Sequence, residues 1–359
     1  MKGKWLTKVH LSNAYDVDQL DLTSGVSAQV VSRLPSMNKQ KPPLVFIHGS
    51  FHSAWCWCEN WMDYFVERGY PVVALSLRGT GGTFAGEGVK KVKIDEHAAD
   101  IQAFLGQADS LLETKKIEGS GNVAPFFQQI LDSISPSGTS SKAETKPVLI
   151  SHSFGGAAVM KYMEKYPSEL NNISGAITLC SVPPSGNGPM TLRFLRRSLV
   201  QSWKITAGFA LKRCLENAEL CRDLFFGGPK EIVEEVQSDG SVETKIVNDY
   251  GVSDDDLARF QTYFQRDTEA TIDVSDFVKN VPSKLWDEKC QAPFVNRLPP
   301  CLVVGATRDF LVDREGVDET AQYFGVETTM VESPHDVMIG ECWQNGADTI
   351  YEWLQSNGL

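Results

Sequence analysis

Five short apolar runs, none longer than six residues, constrain this chain more than any other feature: Leu44–Ile47, Val72–Leu77, Val148–Ile150, Ala176–Leu179 and Leu302–Val304. They are too short for helices. Unbroken apolarity, without alternation, belongs to strands covered on both faces, as in a parallel sheet. Thr328–Val331 is a weaker sixth run. Helical patterns lie between the runs. Trp55–Arg68 ends at Gly69, a residue that closes helices in the left-handed conformation. Asp95–Leu105 opens on a residue able to cap it, Ala157–Lys165 stops before Pro167, and Gln344–Leu354 reads as a closing amphipathic helix. Strand–helix alternation predicts an α/β fold with a doubly wound, mostly parallel sheet.

Two segments interrupt the alternation. The first runs from Gly106 to Lys146, and its Ser135–Thr145 part is polar and Ser-rich, which predicts a surface loop. The second, residues 183–298, is too long for a loop in a compact domain. Its helical stretches are Thr191–Glu216, Asp254–Gln265 and Asp273–Asn280, broken up by Gly227-Gly228-Pro229 and Ser238–Ser241. We therefore expect residues 1–182 and 299–359 to form the sheet domain and residues 183–298 an inserted, mainly helical cap.

The net charge of −12 repels phosphate backbones and argues against a nucleic-acid partner. Eight cysteines without any CxxC pair read as reduced thiols, with neither a disulfide framework nor a metal site. The N-terminal stretch has basic residues but no apolar h-region, and it carries acids within its first twenty residues. No window of 18 apolar residues occurs, so no transmembrane segment is expected. The reading is intracellular, cytoplasmic or plastid, and not secreted. Nothing in the sequence sets the oligomeric state.

Four stretches carry chemistry. In Val148-Leu-Ile-Ser-His-Ser-Phe-Gly-Gly-Ala-Ala158 a buried strand runs into small-X-Ser-X-Gly and then into a helix rich in small residues. This is the pattern of a nucleophile elbow, in which Ser153 stands at a sharp turn while Ser151 and Gly155 avoid clashes. The helix N-terminus favours a developing oxyanion there. In Leu44-Val-Phe-Ile-His-Gly-Ser-Phe-His-Ser-Ala-Trp-Cys-Trp57 a strand delivers a turn whose backbone N–H groups can bind an oxyanion; Ser50 N–H is the candidate, paired with that of Phe154. His48 reads as a brace for this loop. His52 is open between lining a pocket and sitting partly exposed. After the strand ending at Gly305, Asp309 is placed to orient a histidine, with Asp313 as competitor and Arg308 as an ion-pair residue. Finally, Ser333-Pro-His335-Asp-Val-Met puts His335 on a loop after the presumed acid, as no other of the six histidines is. Its role would be general base to Ser153. His152 is expected to point away from the nucleophile into the packing below.

The order Ser153, Asp309, His335 and the elbow resemble the α/β-hydrolase superfamily over roughly residues 40–359. Leu75-Ser-Leu-Arg-Gly-Thr-Gly-Gly82 is similar to that superfamily's strand-4 turn, with Ser76 at the usual aspartate. His48-Gly-Ser-Phe-His-Ser-Ala-Trp-Cys-Trp57 resembles a stretch of plant methylesterases and hydroxynitrile lyases, with Ser53 in place of glycine. Cys180-Ser-Val-Pro-Pro-Ser-Gly-Asn187 and the His335 stretch resemble plant and algal members, which supplies no substrate.

The resemblance implies a serine hydrolase that cleaves a carboxylic ester or related acyl bond through an acyl-enzyme. It implies no cofactor and a small, apolar ester as partner. Two other uses of the same residues stay open: a lyase of the hydroxynitrile type, in which the triad acts as a base, and a ligand-sensing receptor on the same fold. The cap should set the substrate. Its aromatic residues are Trp203, Phe209, Phe225, Phe226, Phe260, Tyr263 and Phe264, and the pocket candidates are Phe51, His52, Trp203 and Phe226.

Overall fold

A computed structural model describes residues 15–35, 41–118, 146–227, 232–236, 241–246 and 251–359. In chain order the elements are β1 (Asp16–Asp21), β2 (Ser27–Arg33), β3 (Leu44–Ile47), α1 (Trp55–Cys58), α2 (Trp61–Glu67), β4 (Val72–Leu75), β5 (Lys91–Val92), α3 (Ile94–Glu118), β6 (Val148–His152), α4 (Phe154–Lys165) and β7 (Gly175–Leu179). Then come α5 (Asn187–Arg197), α6 (Leu199–Ile205), α7 (Ala218–Phe225), β8 (Ile232–Val236), β9 (Val242–Ile246), α8 (Asp254–Arg266), β10 (Thr271–Ile272) and α9 (Val274–Lys279). The chain closes with β11 (Cys301–Arg308), α10 (Arg314–Phe324), β12 (Thr328–Pro334) and α11 (Trp343–Ser356).

The main sheet has the order β1-β2-β4-β3-β6-β7-β11-β12. From β4 to β12 every pairing is parallel; β1 and β2 are antiparallel additions at one edge. The fold is therefore α/β with a mostly parallel sheet, and all six apolar runs fall on its strands, Val72–Leu77 running two residues past the end of β4. β3, β4, β6 and β7 are buried along their whole length, because helices cover both faces. Phe46 of β3 stacks on Trp57 with ring centroids 4.9 Å apart, and Trp57 meets Trp61 at 5.5 Å. The sequence reading did not contain the hairpin of β1 and β2. β1 (Asp-Val-Asp-Gln-Leu-Asp) is polar and mostly exposed, as suits an edge strand, and offers no apolar run.

Helix limits differ from expectation for local reasons. Trp55–Arg68 is two helices, separated at Asn60, whose φ of −146° is not helical. Gly69 does close α2, with φ +89°. Asp95 does not cap α3: the helix starts at Ile94, and the Glu96 side chain instead accepts the Lys93 N–H at 2.9 Å. The expected Ser135–Thr145 loop falls outside the described residues.

Between β7 and β11 the chain builds α5 to α9 and the β8–β9 hairpin. The single helix expected over Thr191–Glu216 is instead α5, α6, a π-helical turn (Thr206–Ala210) and a 3-10 turn (Arg213–Leu215). Ser198 causes the first break. It is extended and its side chain accepts the Gln201 N–H, so it starts a new helix rather than continuing the old one. Asn217 caps α7 in the same way through the Leu220 N–H. This segment is tied to the sheet by a parallel pairing of β10 with β5 and by Asp267, which accepts hydrogen bonds from Trp55 Nε1 (2.9 Å) and Gly81 N (3.1 Å).

Candidate active site

β6 ends in an abrupt turn at Ser153, whose φ of +51° and ψ of −120° lie in a region that non-glycine residues rarely adopt. The turn brings α4 directly against the end of β3. A Cβ at Gly155 would lie 2.4 Å from the His48 carbonyl oxygen and 2.7 Å from that of Ile47, so only glycine fits. Ser151 is fully buried and donates to the Ile177 carbonyl.

Three loops converge on Ser153. His335 follows β12, and its Nε2 lies 3.1 Å from Ser153 Oγ. Asp309 follows β11, and its carboxylate accepts from His335 Nδ1 at 2.8 and 2.9 Å. The backbone N–H groups of Leu311 and Val312 also donate to Asp309 Oδ1, at 2.8 and 2.9 Å, which fixes that carboxylate in place. Burial lowers the His335 pKa, but the charge and hydrogen bond of Asp309, with Asp336 nearby, outweigh it and hold the ring above its ordinary value. Asp313 is engaged elsewhere. It caps α10 through Gly316 N and is gripped by Arg193 and Arg197. Arg308 pairs with Glu332.

The turn after β3 lies on the other side of the serine. Phe51 has φ +67° and is buried against Phe225, and Phe154 is the first residue of α4, so its N–H has no partner within the helix. His48 braces this turn. Its Nδ1 donates to the Gly49 carbonyl at 2.7 Å, while Nε2 accepts from Leu77 N at 2.9 Å. Burial accordingly pushes its pKa down to about 3. Ser76 donates to Gln29 Oε1 and accepts from Ala54 N, which ties the strand-4 turn to β2.

Several expected placements are corrected. His52 is not partly exposed: it is 1% exposed, with Nε2 3.0 Å from Asp336 Oδ2 and Nδ1 2.7 Å from the Ser50 carbonyl. His152 does not point away from the site. Its ring lies 4.8 Å from that of His335, and its Nε2 donates to the His335 carbonyl at 2.9 Å. Trp203 is 58% exposed on α6, and Phe226 is fully buried, stacked on Phe260. The Phe209 side chain lies outside the described residues.

Two site residues escaped the sequence reading. Asp336 is fully buried beside His335. Burial opposes its charge, but the His52 hydrogen bond and the surrounding imidazoles hold its carboxyl below the usual range. Its position directly after His335 was the available signal. Cys180 is buried, has φ +45°, and hydrogen-bonds Asp309. Donor atoms of His152, His335 and Asp336, and of Cys180, Asp309 and His335, lie within 4.8 Å of one another. Most of these are already engaged in the hydrogen bonds described. Among the described residues all eight cysteines are free thiols, and no helix is long and apolar enough to cross a membrane.

Comparison with known proteins adds the family. The model of the alpha/beta hydrolase family matches residues 44–344. The chain belongs to this family. Among curated members, it is 22% identical to methyl jasmonate esterase 1 of Vitis vinifera over 135 residues, which is 38% of each chain. It is 27% identical to norfluorocurarine synthase 1 of a Strychnos species over 165 residues, 46% of this chain and 47% of the relative. The alpha/beta hydrolase thus spans less than half the length of these curated relatives. Among solved structures, potato (Solanum tuberosum) epoxide hydrolase I superimposes with a TM-score of 0.59 at 16% identity, covering 95% of this chain and 99% of that one. That likeness concerns the fold alone.

Proposed function

We propose that this alpha/beta hydrolase cleaves a carboxylic ester, or a related acyl bond, in a small and apolar substrate, with Ser153 as nucleophile, His335 as general base and acid, and Asp309 as the group that orients it. The observation that carries the reading is the unbroken hydrogen-bond chain from Ser153 Oγ through His335 to Asp309. A relative named as an esterase supports the same class of reaction.

His335 Nε2 takes the Ser153 proton as Oγ attacks the carbonyl carbon. Asp309, on Nδ1, holds the tautomer that leaves Nε2 free to accept and stabilises the imidazolium that forms. The carbonyl oxygen becomes an oxyanion and is bound by the N–H groups of Ser50 and Phe154, at the N-terminus of α4. His335 then gives its proton to the departing alcohol, leaving an acyl-Ser153. Water, deprotonated by the same histidine, releases the acid. Residues 183–298 would act as the cap that shapes the acyl or alcohol site.

Labelling with a fluorophosphonate tests the nucleophile. The wild type is expected to label and Ser153→Ala is not; equal labelling of the variant would overturn the assignment. Turnover of a nitrophenyl ester, set against mandelonitrile, separates ester hydrolysis from lyase chemistry.

A further inference from the structure

Residues 187–215 contain Arg193, Arg196, Arg197, Lys204, Lys212 and Arg213 but no aspartate or glutamate, in a chain of net charge −12. Their side chains are sorted against the usual rule. Met190 and Phe194 are buried on α5, Arg193 turns inward to grip Asp313, and the half-exposed Arg197 bridges Asp313 and Glu315. Lys204 likewise reaches the buried Asp223. Large apolar side chains point outward instead. Leu192, Leu195, Leu199, Val200, Trp203 and Leu211 are between 49% and 75% exposed. Leu192 and Leu195 are one turn apart on α5, and Leu199 and Trp203 one turn apart on α6, so each pair shares a face. Arg196 and Arg213 are exposed in the same stretch. Soluble surface helices turn their apolar stripe inward and their charges out, and exposed apolar patches of this extent mark interaction sites.

We propose that this face docks on an anionic lipid bilayer. The chemistry fits from both sides. Leucine and tryptophan side chains enter the headgroup–acyl boundary, while the exposed Arg196 and Arg213 meet anionic headgroups. Elsewhere the acidic chain repels such a surface, so attraction is confined to this face and sets the orientation. A second copy of the chain suits the face poorly, because it would set the exposed Arg196 and Arg213 of one copy against those of the other. The position also has a use. Gln201 Nε2 of α6 donates to the Phe310 carbonyl, one residue beyond Asp309, so the helix that carries Leu199 and Trp203 on one side rests on the loop of Asp309 with the other. That link to an apolar substrate rests on the ester reading above; the docking itself does not.

The test is co-sedimentation of the full chain carrying Ser153→Ala with vesicles of roughly 4:1 phosphatidylcholine to phosphatidylserine, beside pure phosphatidylcholine vesicles. Partitioning into the anionic vesicles is expected. It should fall by about tenfold or more on pure phosphatidylcholine and again when Leu195→Glu and Leu199→Glu are added. Both leucines are exposed, and an unchanged melting temperature verifies that the double variant is folded. Absence of partitioning, or partitioning that the two substitutions leave intact, would overturn the proposal. So would a vesicle-free dimer, seen by sedimentation, that the same substitutions dissolve. Nitrophenyl acetate turnover by the native chain is read in parallel. Its loss with vesicle binding intact would sink the ester reading and leave the docking face standing.

Discussion

His52 and Asp336 form a buried pair, with Nε2 3.0 Å from Oδ2 and both side chains at 1% exposure or less. The other His52 nitrogen faces the Ser50 carbonyl, so one ring links the proposed oxyanion turn to the residue that follows His335. Asp336 also contributes to holding the His335 pKa up. Asp336→Asn is therefore expected to move the acid limb of the kcat/KM profile to lower pH, because removing the negative charge makes imidazolium less favourable. Asp336→Ala should in addition destabilise the fold by roughly 3–5 kcal/mol, the usual result of breaking a buried pair. A merely structural role would lower the melting temperature and leave the pH limb in place.

Asp309 and Asp313 offer a clean contrast. Asp309→Asn is expected to lower kcat by about 10⁴-fold with little loss of fold, since it leaves His335 in the wrong tautomer. Asp313→Asn should leave turnover within a small factor while weakening the α10 cap and its arginine contacts, by about 1–2 kcal/mol in denaturant melts. Exchanged phenotypes would overturn the assignment of the acid.

The closeness of α4 to β3 predicts a steric result. Gly155→Ala places a Cβ 2.4 Å from a backbone oxygen that cannot move aside, so a loss of about 2 kcal/mol or more, or failure to fold, is expected. Gly188→Ala on α5 meets nothing within 4 Å beyond its chain neighbours, so its cost should be far smaller, confined to the strain of a side chain preceding Pro189. Thermal melts of the two variants decide the matter.

Burial holds His48 and His152 down to about 3 and His97 down to about 4, well below the ordinary histidine value. The unfolded chain takes up these three protons as pH drops through about 6.5, while the folded chain does not. Stability should therefore fall with pH between about 6.5 and 4, by roughly 1 kcal/mol per histidine at pH 5.5. His335, whose pKa is raised, works in the opposite sense and offsets part of this loss. A melting temperature flat from pH 7 to 5 would count against the buried neutral state.

The sequence revealed the sheet because its strands are buried on both faces, which leaves runs such as Val72–Leu75 with no polar interruption. It singled out Ser153, Asp309 and His335, which the fold brings within hydrogen-bond distance, because each follows such a run at a sharp loop. It did not reveal β1, whose edge position permits a polar sequence, nor the break at Ser198, where a side-chain cap overrides a continuous helical pattern. The surroundings of the pocket candidates were not legible. An aromatic residue in a cap looks the same whether it faces solvent, like Trp203, or stacks in the interior, like Phe226. Which of these occurs depends on contacts between segments far apart in the chain. Asp336 was hidden for the same reason, since its partner His52 is 284 residues away.

Asp267 is 1% exposed and joins the end of α8 to Trp55 and to the Gly81 turn. Lifting α8 off the sheet would take the Trp55 and Gly81 donors from that carboxylate and leave it only the adjoining Arg266 of the same helix, a penalty in a dry interior. That anchor predicts that α8 opens together with the sheet rather than as a hinged flap. Heating should melt the insertion and the sheet in a single transition, and amide protons around α8 should exchange only through global opening.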